Sequence, residues 1–310
     1  MKQEFFFGSA DNKHILHAVK WLPEVEPKMI VQIIHGMNEY ILRYDDFATF
    51  LCEHGIAVYG HDQLGHGQSV FSNEELGYFC KDHPMHTLIK DIHMLRALAQ
   101  EDYPNVPFIM LGHSMGSYLL RCYITKYAKG LSGALILGTG FTKPVASDFG
   151  LALTKILGMI YSDKHRSKLI QKIIWNSDYK DFDTTRNTIE LNWLSHDYEA
   201  VKAFYANPMC RFLFTVNGFQ GLFEAVNYSC RPAKAKKIPK DLPICLLSGR
   251  YDPVGSLGQG VVDTFLMYKN AGLSHVSMHL YPHARHEILN EINKYEIYED
   301  IVKYLRSITK

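Results

Sequence analysis

Residues 111–116 read Leu111-Gly112-His113-Ser114-Met115-Gly116, and this stretch decides the fold because it carries a Gly-x-Ser-x-Gly pattern. The apolar residues 107–111 before it predict a buried strand, and residues 118–124 after it predict a helix. The two glycines let the strand and the helix approach closely, so the sharp turn between them exposes the serine hydroxyl. The pattern therefore predicts a nucleophile elbow with Ser114 as the nucleophile. An ordinary glycine-rich turn is the alternative.

An elbow serine needs a general base and a carboxylate that orients this base, and both follow the serine along the chain, acid first. Asp252 follows an apolar strand predicted at 243–247, and His286 follows a strand predicted at 276–280. Because the carboxyl ends of parallel strands meet at one edge of a sheet, we expect both residues to lie near Ser114. The sequence predicts Asp252 as the acid and His286 as the base, with His283 as the competing histidine.

The loop after the apolar strand at 29–34 is the candidate for an oxyanion hole, and it reads His35-Gly36-Met37-Asn38-Glu39. One N–H donor of such a hole belongs to the residue after the nucleophile, here Met115. The other comes from a loop after an early strand, and Met37 is our candidate for it. Each donor is typically worth about 3–4 kcal/mol in the transition state.

Strand and helix patterns alternate along most of the chain. After a hairpin around residues 11–12, strands are predicted near 29–34, 56–60, 107–111, 133–137, 243–247 and 276–280, and helices near 44–54, 86–101, 115–128, 258–271 and 287–306. This alternation predicts an α/β fold with a mostly parallel, eight-stranded sheet flanked by helices. The last helix is expected to pack a row of aliphatic residues on the sheet, namely Ile288, Ile292, Ile297, Ile301 and Leu305.

The connection between the strands near 133–137 and 243–247 is far longer than a crossover needs. We therefore predict a cap at 141–235, inserted into a core formed by 1–140 and 236–310. The cap has apolar stretches at 149–160 and 209–214. Most of these residues are expected to pack the cap itself. Others, with Phe212 and Phe214 first, are expected to line an acyl pocket above Ser114.

These segments together resemble the monoacylglycerol lipase and lysophospholipase (serine aminopeptidase-like) family of α/β-hydrolases. The resemblance rests on residues 35–44, 60–69 and 112–116, on 252–254 and on 286–287. It implies an α/β-hydrolase fold with an inserted helical cap, and a Ser-His-Asp acyl-enzyme mechanism. It also implies a monoacylglycerol or lysophospholipid as the lipid ester substrate.

The chain departs from the family pattern in its oxyanion segment. The family usually has a small residue and then Gly at positions 37 and 38, and His at 40, where this chain has Met37, Asn38 and Tyr40. Met37 keeps the backbone donor, but its bulk is expected to narrow the acyl side of the pocket. Ser117 also stands where a further Gly is common.

Several alternatives within the same chemistry stay open: a small-ester carboxylesterase, a thioesterase and an aminopeptidase. Dehalogenases and epoxide hydrolases of this fold use Asp at the elbow, and Ser114 argues against them. A non-catalytic ligand-binding protein is the alternative from another class. All the triad positions are filled, which argues against this last interpretation.

Composition agrees with a globular enzyme, and nucleic acid is not expected as a partner. Of 310 residues, 47% are hydrophobic and 21% charged, and the net charge of +1 gives no electrostatic case for binding nucleic acid. No apolar run reaches the roughly 18 residues of a membrane span and no signal peptide is evident, so only transient contact with lipid surfaces is compatible with the sequence. Six scattered cysteines favour reduced thiols and a cytoplasmic location, and the oligomeric state is left open.

Two histidine pairs, His83 with His86 and His283 with His286, have a spacing that could bring two metal ligands together. Neither pair has a convincing third ligand nearby, and a metal on His286 would prevent its action as a base. We therefore expect no metal and no cofactor. The basic stretch at 231–240 lacks interleaved aromatic residues and is interpreted as a linker that returns the chain to the core.

Overall fold

The structure is a computed structural model that describes residues 1–174, 179, 180, 182 and 192–309. Its central feature is one eight-stranded sheet. Its strands are β1 (Lys2–Gly8), β2 (Ile15–Trp21), β3 (Met29–Ile34), β4 (Ile56–His61), β5 (Phe108–His113), β6 (Gly133–Leu137), β7 (Ile244–Gly249) and β8 (Val276–Tyr281). They agree with the predicted hairpin and six strands to within about two residues at most ends.

The strand order is β1-β2-β4-β3-β5-β6-β7-β8. The strand β2 pairs antiparallel with both β1 and β4, whereas all neighbours from β4 to β8 are parallel. The loops that follow β3, β5, β6, β7 and β8 therefore share one edge of the sheet. The prediction of a mostly parallel sheet is confirmed, and this edge is where the candidate site residues lie.

Helices cover both faces of the sheet because successive strand residues point to opposite sides. In β3, Ile30 and Ile34 join the core layer under α2 (Pro84–Asp102), α3 (Met115–Tyr123) and α9 (Gln259–Asn270). Val31 and Ile33 instead join the layer under α1 (Asp45–Glu53) and α10 (Lys294–Ile308). Every residue of β3 is buried, as expected for a strand covered on both faces.

The segment between β6 and β7 carries the other α-helices that the structure describes. They are α4 (Pro144–Ile160), α5 (Lys168–Ile174), α6 (Tyr198–Ala206), α7 (Val216–Ser229) and α8 (Pro232–Ala235). The buried Arg121 guanidinium donates to the carbonyl of Gly140 at 2.8 Å and to that of Ser229 at 3.1 Å, so it ties both ends of this segment to α3. Its division from the core as a cap at 141–235 stays a prediction.

The last helix differs from the prediction of a continuous helix over 287–306. A short 3-10 helix at Ile288–Asn290 precedes α10, which begins only at Lys294. The cause is Glu291, which has extended backbone angles and whose carboxylate accepts from the backbone N–H groups of Arg285 and His196. Ile292 is consequently 73% exposed, so its predicted packing on the sheet is wrong, while the other four aliphatic residues are buried as predicted.

Candidate active site

Ser114 lies in the turn between β5 and α3, where the sequence predicts the elbow. Its φ of +53° is in the left-handed region, which a non-glycine residue adopts only when its surroundings hold it there. Its N–H donates to the Leu137 carbonyl at 3.0 Å. A Cβ at Gly116 would come within 2.0 Å of the Ile34 carbonyl oxygen, so this glycine is what lets α3 approach β3 behind the serine. The structure thus has the tight strand–turn–helix geometry that the pattern predicts.

Asp252 and His286 are brought together at the same edge of the sheet. The Nδ1 atom of His286 lies 3.0 Å from both carboxylate oxygens of Asp252, and both side chains are buried. Asp252 also accepts from the Val254 N–H at 2.8 Å and from the Ser248 hydroxyl at 3.2 Å, which fixes its orientation. These bonds leave Nε2 as the imidazole nitrogen that is free of Asp252, and both His286 and Ser114 line one cavity.

The competing histidine, His283, is exposed, and it is not among the residues that line this cavity. The ring of His286 instead packs near that of Trp193, with centroids 5.0 Å apart, and beside that of His113 at 4.8 Å. Of the two histidines, His286 is therefore the one that has an aspartate partner and faces the cavity.

The loop after β3 approaches Ser114 closely. A Cβ at Gly36 would lie 2.8 Å from the Ser114 Cβ, so glycine is required for the approach. Met37 and Met115, the candidate donors of the oxyanion hole, both line the cavity. Asn38 has a φ of +59°, a conformation that Gly adopts freely and that Asn tolerates better than most residues. The replacement of the family's Gly by Asn at this position is therefore compatible with the same loop conformation.

A buried cluster of charged residues behind this loop was not identified from the sequence. Glu39 accepts from the Gly36 N–H, lies 3.0 Å from Nδ1 of His113 and pairs with Arg43 at 3.1 Å. Arg43 also pairs with Glu287, the residue next to His286. The i, i+4 spacing of Glu39 and Arg43 is compatible with an ion pair between them, but it does not indicate that Glu287 is a further partner of Arg43.

The pKa values within this cluster follow from its pairing. Burial raises the pKa of Glu39, but the charges of His113 and Arg43 more than offset burial and hold it well below its usual range. Burial likewise raises the pKa of Glu287, and Arg43 reverses the shift, so the net change is downward. Burial lowers the pKa of His113, but the Glu39 carboxylate raises it above its ordinary value. The pairing therefore favours the ionised form of both carboxylates and shifts His113 towards its protonated form.

The cavity beside Ser114 has a volume of about 630 Å³. Much of its wall is apolar and comes from the segment between β6 and β7, with Phe141, Ile173, Ile174, Phe204, Phe212, Leu213, Leu222, Phe223 and Val226. Its size and character suit a small apolar ligand, since such pockets are typically about 300–1,000 Å³ and largely hydrophobic.

Only one of the two phenylalanines predicted to line the acyl pocket does so in the structure. Phe212 lines the cavity, whereas Phe214 is 1% exposed and packs edge-on against Phe79 in the core. The prediction for Phe214 is corrected because its ring lies behind that of Phe212: the two rings stack with centroids 5.8 Å apart, and Phe214 also packs against Phe79 and Phe219. None of residues 151–160 lines the cavity either, because the apolar side chains of that part of α4 pack on α7 or face outward.

The two histidine pairs that have the spacing of metal ligands lie in different surroundings, one exposed and the other partly engaged with Asp252. His83 and His86 lie exposed at the start of α2, with ring centroids 6.1 Å apart, and His286 is engaged with Asp252. Within residues 1–174, 179, 180, 182 and 192–309, no group of three or more His, Cys, Asp or Glu side chains is arranged to hold a metal ion. The same residues contain no helix that is long and apolar enough to cross a membrane.

Comparison with known proteins places this geometry in a family. The family model described as serine aminopeptidase, S33, matches residues 25–293. A monoacylglycerol lipase from Mycolicibacterium smegmatis is 25% identical over 311 residues, which cover 99% of this chain and 98% of that protein. A monoglyceride lipase from Mus musculus is 26% identical over 288 residues, with 89% and 84% covered.

Solved structures agree with this assignment. A thermostable carboxyl esterase from Bacillus coagulans, solved in complex with glycerol, superposes with a TM-score of 0.89. It is 29% identical, and the match covers 100% of this chain and 99% of the esterase. The resemblance inferred from the motifs is confirmed. The chain belongs to the serine aminopeptidase S33 family of α/β-hydrolases, and it is a hydrolytic enzyme.

Proposed function

We propose that the protein is a serine carboxylic ester hydrolase that cleaves esters of single-chain lipids, of the monoacylglycerol or lysophospholipid type. One observation carries the proposal. Ser114 and His286 line the same apolar cavity, and His286 is held there by both carboxylate oxygens of Asp252 at 3.0 Å. This is the arrangement of nucleophile, base and orienting acid that acyl transfer requires.

The first half of the proposed reaction forms an acyl-enzyme. The Nε2 atom of His286 takes the proton of the Ser114 hydroxyl while the Ser114 oxygen attacks the ester carbonyl carbon. Asp252 fixes the tautomer of His286 and stabilises the imidazolium. The backbone N–H groups of Met37 and Met115 donate to the oxyanion, and the alcohol leaves with the proton from His286 as the acyl–oxygen bond breaks.

The second half releases the fatty acid. His286 takes a proton from a water molecule, whose oxygen attacks the acyl carbon bound to Ser114. The tetrahedral intermediate is held by the same two N–H groups, and Ser114 leaves with the proton that His286 returns to it. One ester and one water are converted to one carboxylic acid and one alcohol, and no cofactor or metal is needed.

The substrate class is supported by the cavity wall and by the relatives. An acyl chain gains about 0.8 kcal/mol for each methylene that it buries, so an apolar wall such as that formed by Phe212, Leu222 and Phe223 favours long chains. The two relatives matched above are named a monoacylglycerol lipase and a monoglyceride lipase. Both lines of support point to esters with one acyl chain.

Transient contact with lipid surfaces forms part of the proposal. One face of α4 carries exposed apolar side chains at helical spacing, among them Val145, Phe149, Ile156 and Met159, and Met159 is 79% exposed. A helix with such a face binds at a membrane interface without crossing it. We also propose a cytoplasmic location, supported by six free cysteines, of which five are buried.

A small-ester carboxylesterase is the second candidate, favoured by the likeness to the Bacillus coagulans carboxyl esterase. Thioesterase and aminopeptidase activities are further outcomes of the same test. The deciding experiment is a hydrolysis panel of monoacylglycerols, lysophospholipids, p-nitrophenyl esters, acyl thioesters and aminoacyl amides, with Ser114→Ala as the control. The proposal expects the highest kcat/KM for a long-chain monoacyl ester. Faster cleavage of acetate esters or of aminoacyl amides would contradict it.

A further inference from the structure

The oxyanion segment makes two side-chain hydrogen bonds to the segment between β6 and β7. The Asn38 amide nitrogen donates to the Phe212 carbonyl at 2.6 Å. The Asn207 amide nitrogen donates to the Tyr40 hydroxyl at 2.8 Å. The stretch at 207–212 is thus fastened to the oxyanion segment at both of its ends, by two residues that depart from the family pattern.

The loop is also held at Gly36, on the other side of Met37 in the sequence. The Gly36 N–H donates to the Glu39 carboxylate, which belongs to the buried charged cluster. Met37 therefore lies between a residue fixed by the core and a residue fixed by the 207–212 stretch. Because a peptide N–H turns with its neighbours, both attachments restrict the direction of the Met37 N–H.

We propose that Asn38 and Tyr40 are positioning residues that fasten the 207–212 stretch to the oxyanion loop and thereby fix the Met37 N–H for the transition state. The inference rests on the proposed function, since it assigns a support to the oxyanion hole of that reaction. Neither side chain is required to touch the reacting atoms. Their effect is transmitted through the loop backbone.

This role has a distinct kinetic signature. A donor aimed at the oxyanion acts in the transition state, so its misplacement lowers kcat and leaves KM nearly unchanged. Loss of a whole donor costs about 10²–10³-fold in kcat, and a misplaced donor is expected to cost about ten-fold. The loss is the same for short and long acyl chains, because every ester forms the same oxyanion.

The principal variant is Asn38→Gly, because Gly adopts the observed φ of +59° without strain and only the side-chain bond is removed. Its matched control is Asn12→Gly, since Asn12 has a φ of +60° in the exposed hairpin between β1 and β2. We expect Asn38→Gly to lose about ten-fold in kcat on p-nitrophenyl acetate and on a long-chain ester alike, and Asn12→Gly to match the wild type.

A second variant, Tyr40→Phe, removes only the hydroxyl that Asn207 donates to, and it covers the case in which Asn38→Gly fails to fold. We expect a smaller fall in kcat, again with KM within about two-fold of the wild type. The inhibition constant of a trifluoromethyl ketone, which forms a tetrahedral adduct on the serine, should rise in parallel with the fall in kcat/KM. If Asn38 and Tyr40 had a merely structural role, the variants would lose melting temperature, and the inhibition constant would not rise together with the fall in kcat/KM.

The outcomes separate this inference from the proposed function. A wild type that cleaves no ester would overturn the proposed function itself. An active wild type with an unchanged kcat in folded Asn38→Gly, or in Tyr40→Phe where the first variant does not fold, would overturn the inference alone. A loss confined to long-chain esters would also overturn it, since Asn38 would then act only on the acyl wall formed by Phe212.

Discussion

The Arg43 guanidinium forms a two-bond ion pair with the Glu287 carboxylate, at 2.7 and 2.8 Å, and so joins the segment after β3 to the residue beside His286. Arg43 also contacts Glu39 at 3.1 Å, which in turn accepts from the Gly36 N–H of the oxyanion loop. The loop after β3 and the loop of the candidate base are therefore connected through one largely buried guanidinium, whose side chain is 11% exposed. We expect changes at Arg43 to affect both loops together.

Replacing Arg43 by Met should strongly destabilise the fold. The change leaves Glu39 and Glu287 buried without their guanidinium partner, and breaking a buried pair in this way typically costs about 3–5 kcal/mol. Urea unfolding measures the loss. Lys303→Met is the control, because Lys303 and Asp300 form an exposed pair at 3.3 Å, for which a change of under about 1 kcal/mol is expected. Equal effects of the two substitutions would contradict the assigned role of Arg43.

The pH dependence of stability should report on Asp91, which lies buried in α2 away from the cavity. Burial raises the pKa of this carboxyl to about 7, although it accepts from the Ala10 N–H and the Ser9 hydroxyl. The unfolded chain loses the proton near pH 4 and the folded protein only near 7, so this contribution to stability is present below pH 4 and is lost as the pH rises to 7.

Asp91→Asn keeps the acceptor and cannot ionise, so its stability relative to the wild type should improve between pH 4 and pH 7. The improvement is expected to be on the order of 3 kcal/mol, since one pKa unit corresponds to about 1.4 kcal/mol. Urea unfolding of both proteins across this range gives the difference. A stability difference that does not change with pH would show that Asp91 is ionised throughout.

Phe212 and Phe214 should behave differently although they are two residues apart. Phe212→Ser changes the cavity wall, so it should flatten the rise of kcat/KM with acyl length while sparing acetate esters. Phe214→Ser removes a core ring and should instead cost about 3–5 kcal/mol in stability without a change in chain-length preference. Kinetics below the micelle concentration, with urea unfolding, separate the two. The same chain-length profile for Phe212→Ser and wild type would contradict the acyl-wall assignment.

Asp252 and His286 should be distinguishable from His283 by kinetics alone. Asp252→Asn loses the carboxylate that holds the imidazole tautomer, and such a change typically lowers kcat about 10⁴-fold. His286→Ala removes the base and should be at least as damaging. His283 is exposed and away from the cavity, so His283→Ala should stay within about two-fold of wild type. A larger loss for His283→Ala than for His286→Ala would reverse the assignment of the base.

The placement of the candidate nucleophile, acid and base at one edge of the sheet could be predicted because each follows an apolar strand, and parallel strands bring their carboxyl ends to one edge. The order of the parallel strands is therefore enough to predict that Ser114, Asp252 and His286 lie near one another. The pairing of Arg43 with Glu287 could not be predicted in this way, because it joins side chains far apart in the sequence through tertiary packing. No local spacing encodes such a contact.

The remaining errors arise where regular periodicity ends. Phe212 and Phe214 lie in an extended stretch outside any helix or strand, so the pattern could not indicate which of them faces the cavity. Ile292 fits a helical repeat with Ile288, but the side-chain bonds of Glu291 interrupt the helix between them. For the two stacked phenylalanines, packing depth decides which ring faces the cavity, and for Ile292 the hydrogen bonds of Glu291 decide the exposure.

The most direct test of the central claim is the turnover of a long-chain monoacylglycerol by the wild type and by folded Ser114→Ala. Alanine fits the elbow, so the variant should keep its melting temperature while kcat falls on the order of a million-fold, the loss that removal of a triad nucleophile typically causes. A fluorophosphonate should label the wild type and leave the variant unlabelled. Wild-type turnover by folded Ser114→Ala would contradict the account.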